Sequence, residues 1–189
     1  MRALATIAIL PVGASVGFAL FWPWFSWWRR HQGLFYGLMV GMLMAVGTTV
    51  VAFREDVFGV QVEMPWPVVA VGWAIIAAAT VFGTIADRQI GIHVRAFVPF
   101  FEDHGKIELV TTGAYAVVRH PIYAGGIAFQ LGVALATGYA AVAVAFAVFA
   151  ASAVWFTREE ERRLVALLRD PEAYARYKAR VPALFPLPR

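Results

Sequence analysis

The sequence predicts an all-α integral membrane protein. Five transmembrane helices are expected, the last two forming a helical hairpin, with a cytoplasmic C-terminal helical cap. Three observations carry this. Hydrophobic residues make up 61% of the 189-residue chain and charged residues only 15%, against roughly 45–50% and about 25% in a soluble domain. The uncharged stretches are long enough to cross a bilayer. The basic residues gather at the ends of those stretches.

Taking histidine as neutral, the uncharged runs are Ala3–Trp28, His31–Phe53, Met64–Ala86 and Pro121–Thr157. A membrane-crossing helix needs about 20 apolar residues, so each of the first three runs reads as one span. The first is too long, and too poor in a small-residue cleavage site, for a signal peptide. The fourth run would be about 55 Å long as one helix, well beyond a ~30 Å hydrocarbon core. Thr137-Gly138 supplies the break, since glycine accepts turns that other residues resist. The expected hairpin arms are Ile122–Ala136 and Tyr139–Thr157.

Orientation follows from lysine and arginine. Arg29 and Arg30 follow the first span; Arg88, Arg95, Lys106 and Arg119 lie between the third span and the hairpin. Of the 16 basic residues, 8 fall in the last 32 positions. An outside N-terminus leaves only Arg2 and Arg54 on the outer face, as the positive-inside rule requires. The tryptophans Trp22, Trp24, Trp27 and Trp28 read as an interfacial belt. The expected organisation is one membrane domain: three spans in 1–86, a cytoplasmic connector 87–120, the hairpin 121–157 and a cytoplasmic tail 158–189. The connector holds Phe97, Phe100, Phe101 and Tyr115, which argues against disorder. The tail reads as a continuation of the fifth helix, a break at Pro171 and a short second helix.

Several classes are excluded. Zero cysteines remove disulfide scaffolds, thiolate catalysis and cysteine metal sites. His31, His93, His104 and His120 have no metal-ligand spacing. The net charge of +4 is spread in membrane fashion, so no nucleic-acid partner is expected. No GxGxxG element and no alternating strand–helix pattern occur, which removes a soluble dinucleotide-fold enzyme. Gly13–Gly17 and Gly37–Gly41 each form GxxxG, a spacing for close helix approach within the chain or between two chains.

The residues able to do chemistry lie at the two ends of the hairpin. Before it stands LVTTGAYAVVRHPIY, Leu109–Tyr123; after it come TREEERRL, Thr157–Leu164, and YARYKARVP, Tyr174–Pro182. Arg119 can hold a carboxylate bidentately, or pair with a glutamate, or anchor at a headgroup. Pro121 suits the first position of a helix. Glu159, Glu160 and Glu161 are consecutive, so they cannot share one helix face, and at most two can point into a pocket. Glu159 is the expected solvated partner of Arg162 or Arg163. Tyr174 and Tyr177 lie three apart on one face. Gly113 permits a tight turn and close backbone approach.

In this order around an apolar hairpin, over roughly residues 105–182, the motifs resemble the superfamily of isoprenylcysteine carboxyl methyltransferases and phospholipid methyltransferases. The resemblance implies methyl transfer from S-adenosylmethionine bound on the cytoplasmic side. It implies an acceptor that is a small lipophilic or lipid-linked molecule arriving through the bilayer. The cofactor site implied is the backbone of Leu109, Val110, Thr112, Gly113 and Tyr115, with Arg119, His120, Pro121, Tyr123, Glu160, Glu161 and Tyr174. Arg119 and Glu160 are the implied catalytic pair. Two departures stand out: relatives carry a histidine where this chain has Ile107, and LRDP, Leu168–Pro171, replaces a Phe-Gly. The alternatives are a reductase resembling the steroid 5α-reductase group and a non-enzymatic helical membrane protein. The reductase group often has Asn after His-Pro, where this chain reads HPIYAGG.

Overall fold

The computed structural model describes residues 1–95 and 108–186, and among them every regular element is a helix. In chain order these are α1 (Arg2–Phe21), a 3₁₀ turn (Trp22–Trp24), α2 (Phe25–Trp28), α3 (Gln32–Ala52), α4 (Arg54–Val57) and α5 (Trp66–Arg95). Then follow α6 (Ala114–Val117), α7 (Pro121–Thr137), α8 (Ala140–Leu167) and α9 (Pro171–Arg180). Four stretches are long and apolar enough to cross a membrane: Arg2–Trp24, Gln32–Ala52, Trp66–Ile90 and Ala140–Arg163. Pro121–Thr137 is equally apolar in kind but has only 17 residues.

Two element boundaries differ from the sequence reading. The first uncharged run is not one helix, because Trp22-Pro23-Trp24 tightens into a 3₁₀ turn. Proline lacks the N–H that an α-helix interior needs. The third helix does not stop at Ala86 but runs to Arg95. No proline interrupts 87–95, so polar residues change its solvent without ending its hydrogen bonding. The readings made for Phe97, Phe100, Phe101, His104, Lys106 and Ile107 lie outside the described residues.

The chain gathers into two compact units. The first comprises Met1–Ala77 and Ile127–Ser152. Its core joins Ala5 and Ala8 of α1, Val50 of α3, Ile76 of α5 and Val133 of α7 to Phe58, Tyr139 and Val142. Small residues set its spacing. A Cβ on Gly13 or Gly17 would come within 2.7 Å of Val46 or Met42, so the first GxxxG seats α1 on α3. Gly37 and Gly41 have nothing within 4 Å. Gly72 of α5 meets Gly132 of α7 backbone to backbone, where a Cβ would stand 2.8 Å from the opposite carbonyl.

The Thr137-Gly138 break is held from outside. Gly138 has φ +66°, and a Cβ there would stand 2.0 Å from the Val62 carbonyl oxygen. Val62 N–H donates to the Gly138 carbonyl at 2.9 Å, Ala140 N–H to Val60 at 3.0 Å, and Gln61 Nε2 to Thr137 at 2.8 Å. Residues 60–62 thus satisfy polar backbone groups that the helix break frees, which an apolar surrounding demands.

The second unit comprises Ala78–Gly126 and Ala153–Arg189. It holds the ends of α5, α7 and α8 together with α6 and α9. The helix of the last long span continues unbroken through the glutamates to Leu167. Asp170 then caps α9, accepting from Ala173 N–H at 2.9 Å, with Pro171 at the first turn. Tyr174 and Tyr177 face inward and pack with Leu168, Leu109 and Val181.

Candidate active site

The RHP segment is positioned by backbone pairing that side-chain reading misses. Val118 is extended, at φ −141° and ψ 152°. Arg119 N–H then donates to Pro182 at 2.8 Å, and His120 N–H to Ala183 at 3.0 Å. The residue before a proline avoids helical geometry, so His120-Pro121 keeps the strand-like approach and α7 starts at Pro121. The sequence signal was there: Val181-Pro182 ends α9 and offers carbonyls from an extended stretch.

Glu161 is the hub of the site. Its Oε1 accepts from Arg119 Nε at 2.8 Å and lies 2.6 Å from Arg119 NH2 and 3.2 Å from His120 Nε2. Its Oε2 lies 2.6 Å from Lys178 Nζ. The Arg119 and Glu161 side chains are only 7% and 8% exposed. Arg119 NH1 also donates to the carbonyls of Val181 and Lys178. The guanidinium is therefore engaged by a glutamate and by the tail; of the pairings open to it in the sequence, this is the one made here. Residues 41 and 42 positions apart in sequence thus form one buried ionic cluster. Lys178, absent from the sequence expectation, belongs to it; its place four after Tyr174, on the face of the buried tyrosines, was the available signal.

Glu160 behaves differently from its neighbour. Its Oε2 lies 3.7 Å from His120 Nδ1, beyond hydrogen-bond range, and is buried without accepting a hydrogen bond among the described residues. Tyr123 is near both, its ring 6.1 Å from that of His120 and its hydroxyl within interaction range of the Glu160 carboxyl. The Tyr174 hydroxyl is the second buried polar atom of this region without a partner. Glu159 points away and pairs with Arg162.

The segment before α6 is held by Gln89 of α5. Gln89 Nε2 donates to the Thr112 carbonyl at 3.1 Å, and its Oε1 accepts from Ala114 N–H at 3.0 Å. Gly113 sits between them at φ +58°, where a Cβ would stand 1.9 Å from Gln89 Nε2. Leu109 packs on the tyrosine cluster, Val110 is half-buried, and Thr112 is exposed. The Tyr177 hydroxyl donates to the Tyr115 carbonyl at 2.5 Å. Burial raises the phenols of Tyr115 and Tyr174 well above their usual value, and that of Tyr177 to about 12 against the opposing pull of Arg119. All three are neutral at physiological pH, so the cluster presents hydroxyls and not phenolates.

Beside Glu161 a cleft of about 490 Å³ opens between the end of α8 and the tail. Arg119, Arg158 and Lys178 line it, and Val154 and Phe185 form apolar parts of its wall.

A family model described as phospholipid methyltransferase matches residues 67–170, just over half of the chain. The chain belongs to the phospholipid methyltransferase family. No curated protein and no solved structure matches it. Family membership makes it a membrane methyltransferase in general terms. The match starts within α5, further upstream than the motifs alone suggested, and ends at Asp170. The RHP segment and the glutamates lie inside it, whereas α9 and its tyrosines lie beyond it. Two unpartnered buried oxygens, one of them a carboxylate's, fit a ligand bearing an ammonium group and hydroxyls. S-adenosylmethionine, the usual methyl donor of methyltransferases, carries both. No group of three histidine and acidic residues suited to a metal occurs among the described residues.

Proposed function

We propose that this protein transfers a methyl group from S-adenosylmethionine to a small lipophilic or lipid-linked acceptor at the inner face of a membrane. When bound, the donor supplies a methyl carbon already activated by its sulfonium, so the protein's task is chiefly to position. The observation that carries the reading is Glu160: a buried carboxylate oxygen without a partner, next to an RHP segment, in a chain of this family.

The residues divide the work. Glu161 is spent on structure, holding Arg119, His120 and Lys178 in one cluster. Arg119 is a positioning residue that acts through Glu161 and ties the tail carbonyls of Lys178 and Val181 to the start of α7. Glu160 keeps its free oxygen for the donor's ammonium or a ribose hydroxyl. Tyr174 offers its unpartnered hydroxyl beside it. The backbone from Leu109 to Tyr115, shaped by Gly113 and clasped by Gln89, offers amide and carbonyl groups to the adenine. Tyr123, near Glu160 at the start of α7, faces the reacting end. Apolar helices around such a site exclude water from the nucleophile.

The same reading includes the membrane arrangement. α7 is a short fifth crossing paired with α8 as a hairpin, the N-terminus lies outside, and α9 caps the cofactor from the cytoplasm in a single membrane domain. The acceptor reaches the site through the bilayer.

The test is binding of labelled S-adenosylmethionine to the purified full chain, with labelled NADPH as the competing ligand class. A hydrogen bond to a charged group is worth about 1.5–3 kcal/mol. Glu160→Gln should therefore weaken binding by roughly 10- to 100-fold, with the fold retained. Arg119→Ala should weaken it too, through loss of the cluster. Unchanged affinity in both variants, or tight NADPH binding, would overturn the assignment.

A further inference from the structure

The cleft beside Glu161 is not used by the reading above, because neither Glu160 nor Tyr174 lines it. Its charge is unbalanced. Arg119, Arg158 and Lys178 line it against one carboxylate, Glu161. Glu161 is already saturated by Arg119, His120 and Lys178. Arg158 is exposed and makes no ion pair among the described residues. Lys178 is half-exposed, with its ammonium on Glu161; an ammonium can donate to more than one oxygen at once.

The level of the cleft along α8 is equally informative. The uncharged run ends at Thr157, and Arg158 is the first charge after it. That is the depth at which a membrane helix meets headgroups. One turn earlier, Val154 forms part of the apolar wall, and Phe185 of the tail is 48% exposed at the same opening. A phosphate-sized anion alone would leave most of about 490 Å³ unfilled. An anionic amphiphile fills both halves: an anion on Arg158 and Lys178, and an acyl chain along Val154 and Phe185.

We propose that this cleft holds the phosphate headgroup of an anionic membrane lipid as a resident ligand. The lipid is bound and not consumed. Its phosphate bridges Arg158 of α8 to Lys178 of α9, fastening the tail to the last long helix. Guanidinium geometry suits two phosphate oxygens, while the lysine contributes a point charge. The cleft shares Arg119, Glu161 and Lys178 with the cluster described above, but the test is distinguishable from that of methyl transfer, because it turns on Arg158 and Phe185 and reads lipid retention instead of cofactor binding.

The experiment uses the full chain, purified in detergent and mixed with equal amounts of phosphatidylglycerol and phosphatidylcholine of identical acyl chains. Native mass spectrometry counts the lipids retained per chain. Wild type should retain phosphatidylglycerol in preference. One basic residue at a lipid surface is worth about a fivefold change in occupancy, so Arg158→Gln should lose the preference by roughly that factor. Arg162→Gln is the control, since Arg162 is bound to Glu159 and does not line the cleft; it should retain the preference. Phe185→Ala should weaken retention of both lipids, an effect that a purely ionic contact would not give. Inorganic phosphate is the competing source. If millimolar phosphate displaces phosphatidylglycerol from wild type, the cleft takes the free ion and the lipid assignment fails. It fails also if both lipids are retained equally, or if Arg162→Gln matches Arg158→Gln.

Discussion

Replacing Glu161 with glutamine strands a buried guanidinium around a neutral amide. Both partners of that pair are over nine-tenths buried, with Oε1 2.6 Å from NH2 and 2.8 Å from Nε. Removing one member of a buried pair costs about 3–5 kcal/mol, most of it the penalty of leaving the other charge unpaired. Lys178 is half-exposed, so its loss adds at most about 1 kcal/mol. In a chain of this size each kcal/mol lowers the midpoint of unfolding by roughly 2–4 °C. Glu161→Gln should therefore lower Tm by about 6–24 °C, followed by tryptophan fluorescence in detergent. The comparison is Arg162→Ala, which removes an exposed ion pair and should cost at most about 1 kcal/mol. A third variant separates charge from packing. Arg119→Met with Glu161→Leu removes both charges and should recover much of the loss, since apolar replacement of a buried pair is often neutral. Recovery should stop short, because the Val181 and Lys178 carbonyls lose their donor. A Glu161→Gln shift no larger than that of Arg162→Ala would refute the cluster as the anchor of the site.

Gly113→Ala should destabilise by about 1–3 kcal/mol, because φ +58° with ψ −124° is a glycine conformation and the new methyl collides with Gln89. In a Gln89→Ala background the same substitution should cost less; equal costs in both backgrounds would remove Gln89 as the clasp. Alkaline pH gives the third test. Tyr177 titrates near 12 in the folded chain and at about 10 when unfolded, so the neutral phenol is favoured by folding. That contribution is complete below about pH 10 and is lost as pH rises through 12. Phenolate absorbance should lag in the folded protein, and Tyr177→Phe should flatten the alkaline fall in stability; an unchanged slope would contradict the burial of this hydroxyl.

How much of this was legible in the sequence depends on the kind of force involved. Membrane-length helices follow from runs of apolar residues, and each of the four long stretches overlaps one of the expected runs, three of them running past its charged edge, because hydrophobic length is a one-dimensional property. Helix breaks at Gly138 and Pro171 were readable because each residue restricts or frees φ locally. The extension of α5 to Arg95 was not, since charge marks where a helix leaves apolar surroundings and not where its hydrogen bonding stops. At the site, residue type pointed to Arg119 and the resemblance added His120 and the glutamates, but neither gave the partition among them. Consecutive glutamates point in directions about 100° apart on a helix, and which one meets Arg119 depends on how the tail returns. That return rests on main-chain bonds from Arg119 and His120 to Pro182 and Ala183, which carry no side-chain signature. Lys178 went unassigned although it shares a face with Tyr174, because only the return of the tail brings it to Glu161. The outcome assigns different tasks to identical side chains one residue apart. Glu161 has its oxygens filled by cations and cannot easily serve a ligand, while Glu160 keeps one buried oxygen unfilled. A buried polar oxygen left without a hydrogen bond is costly, which is why the proposed donor contact is placed on Glu160 and not on Glu161.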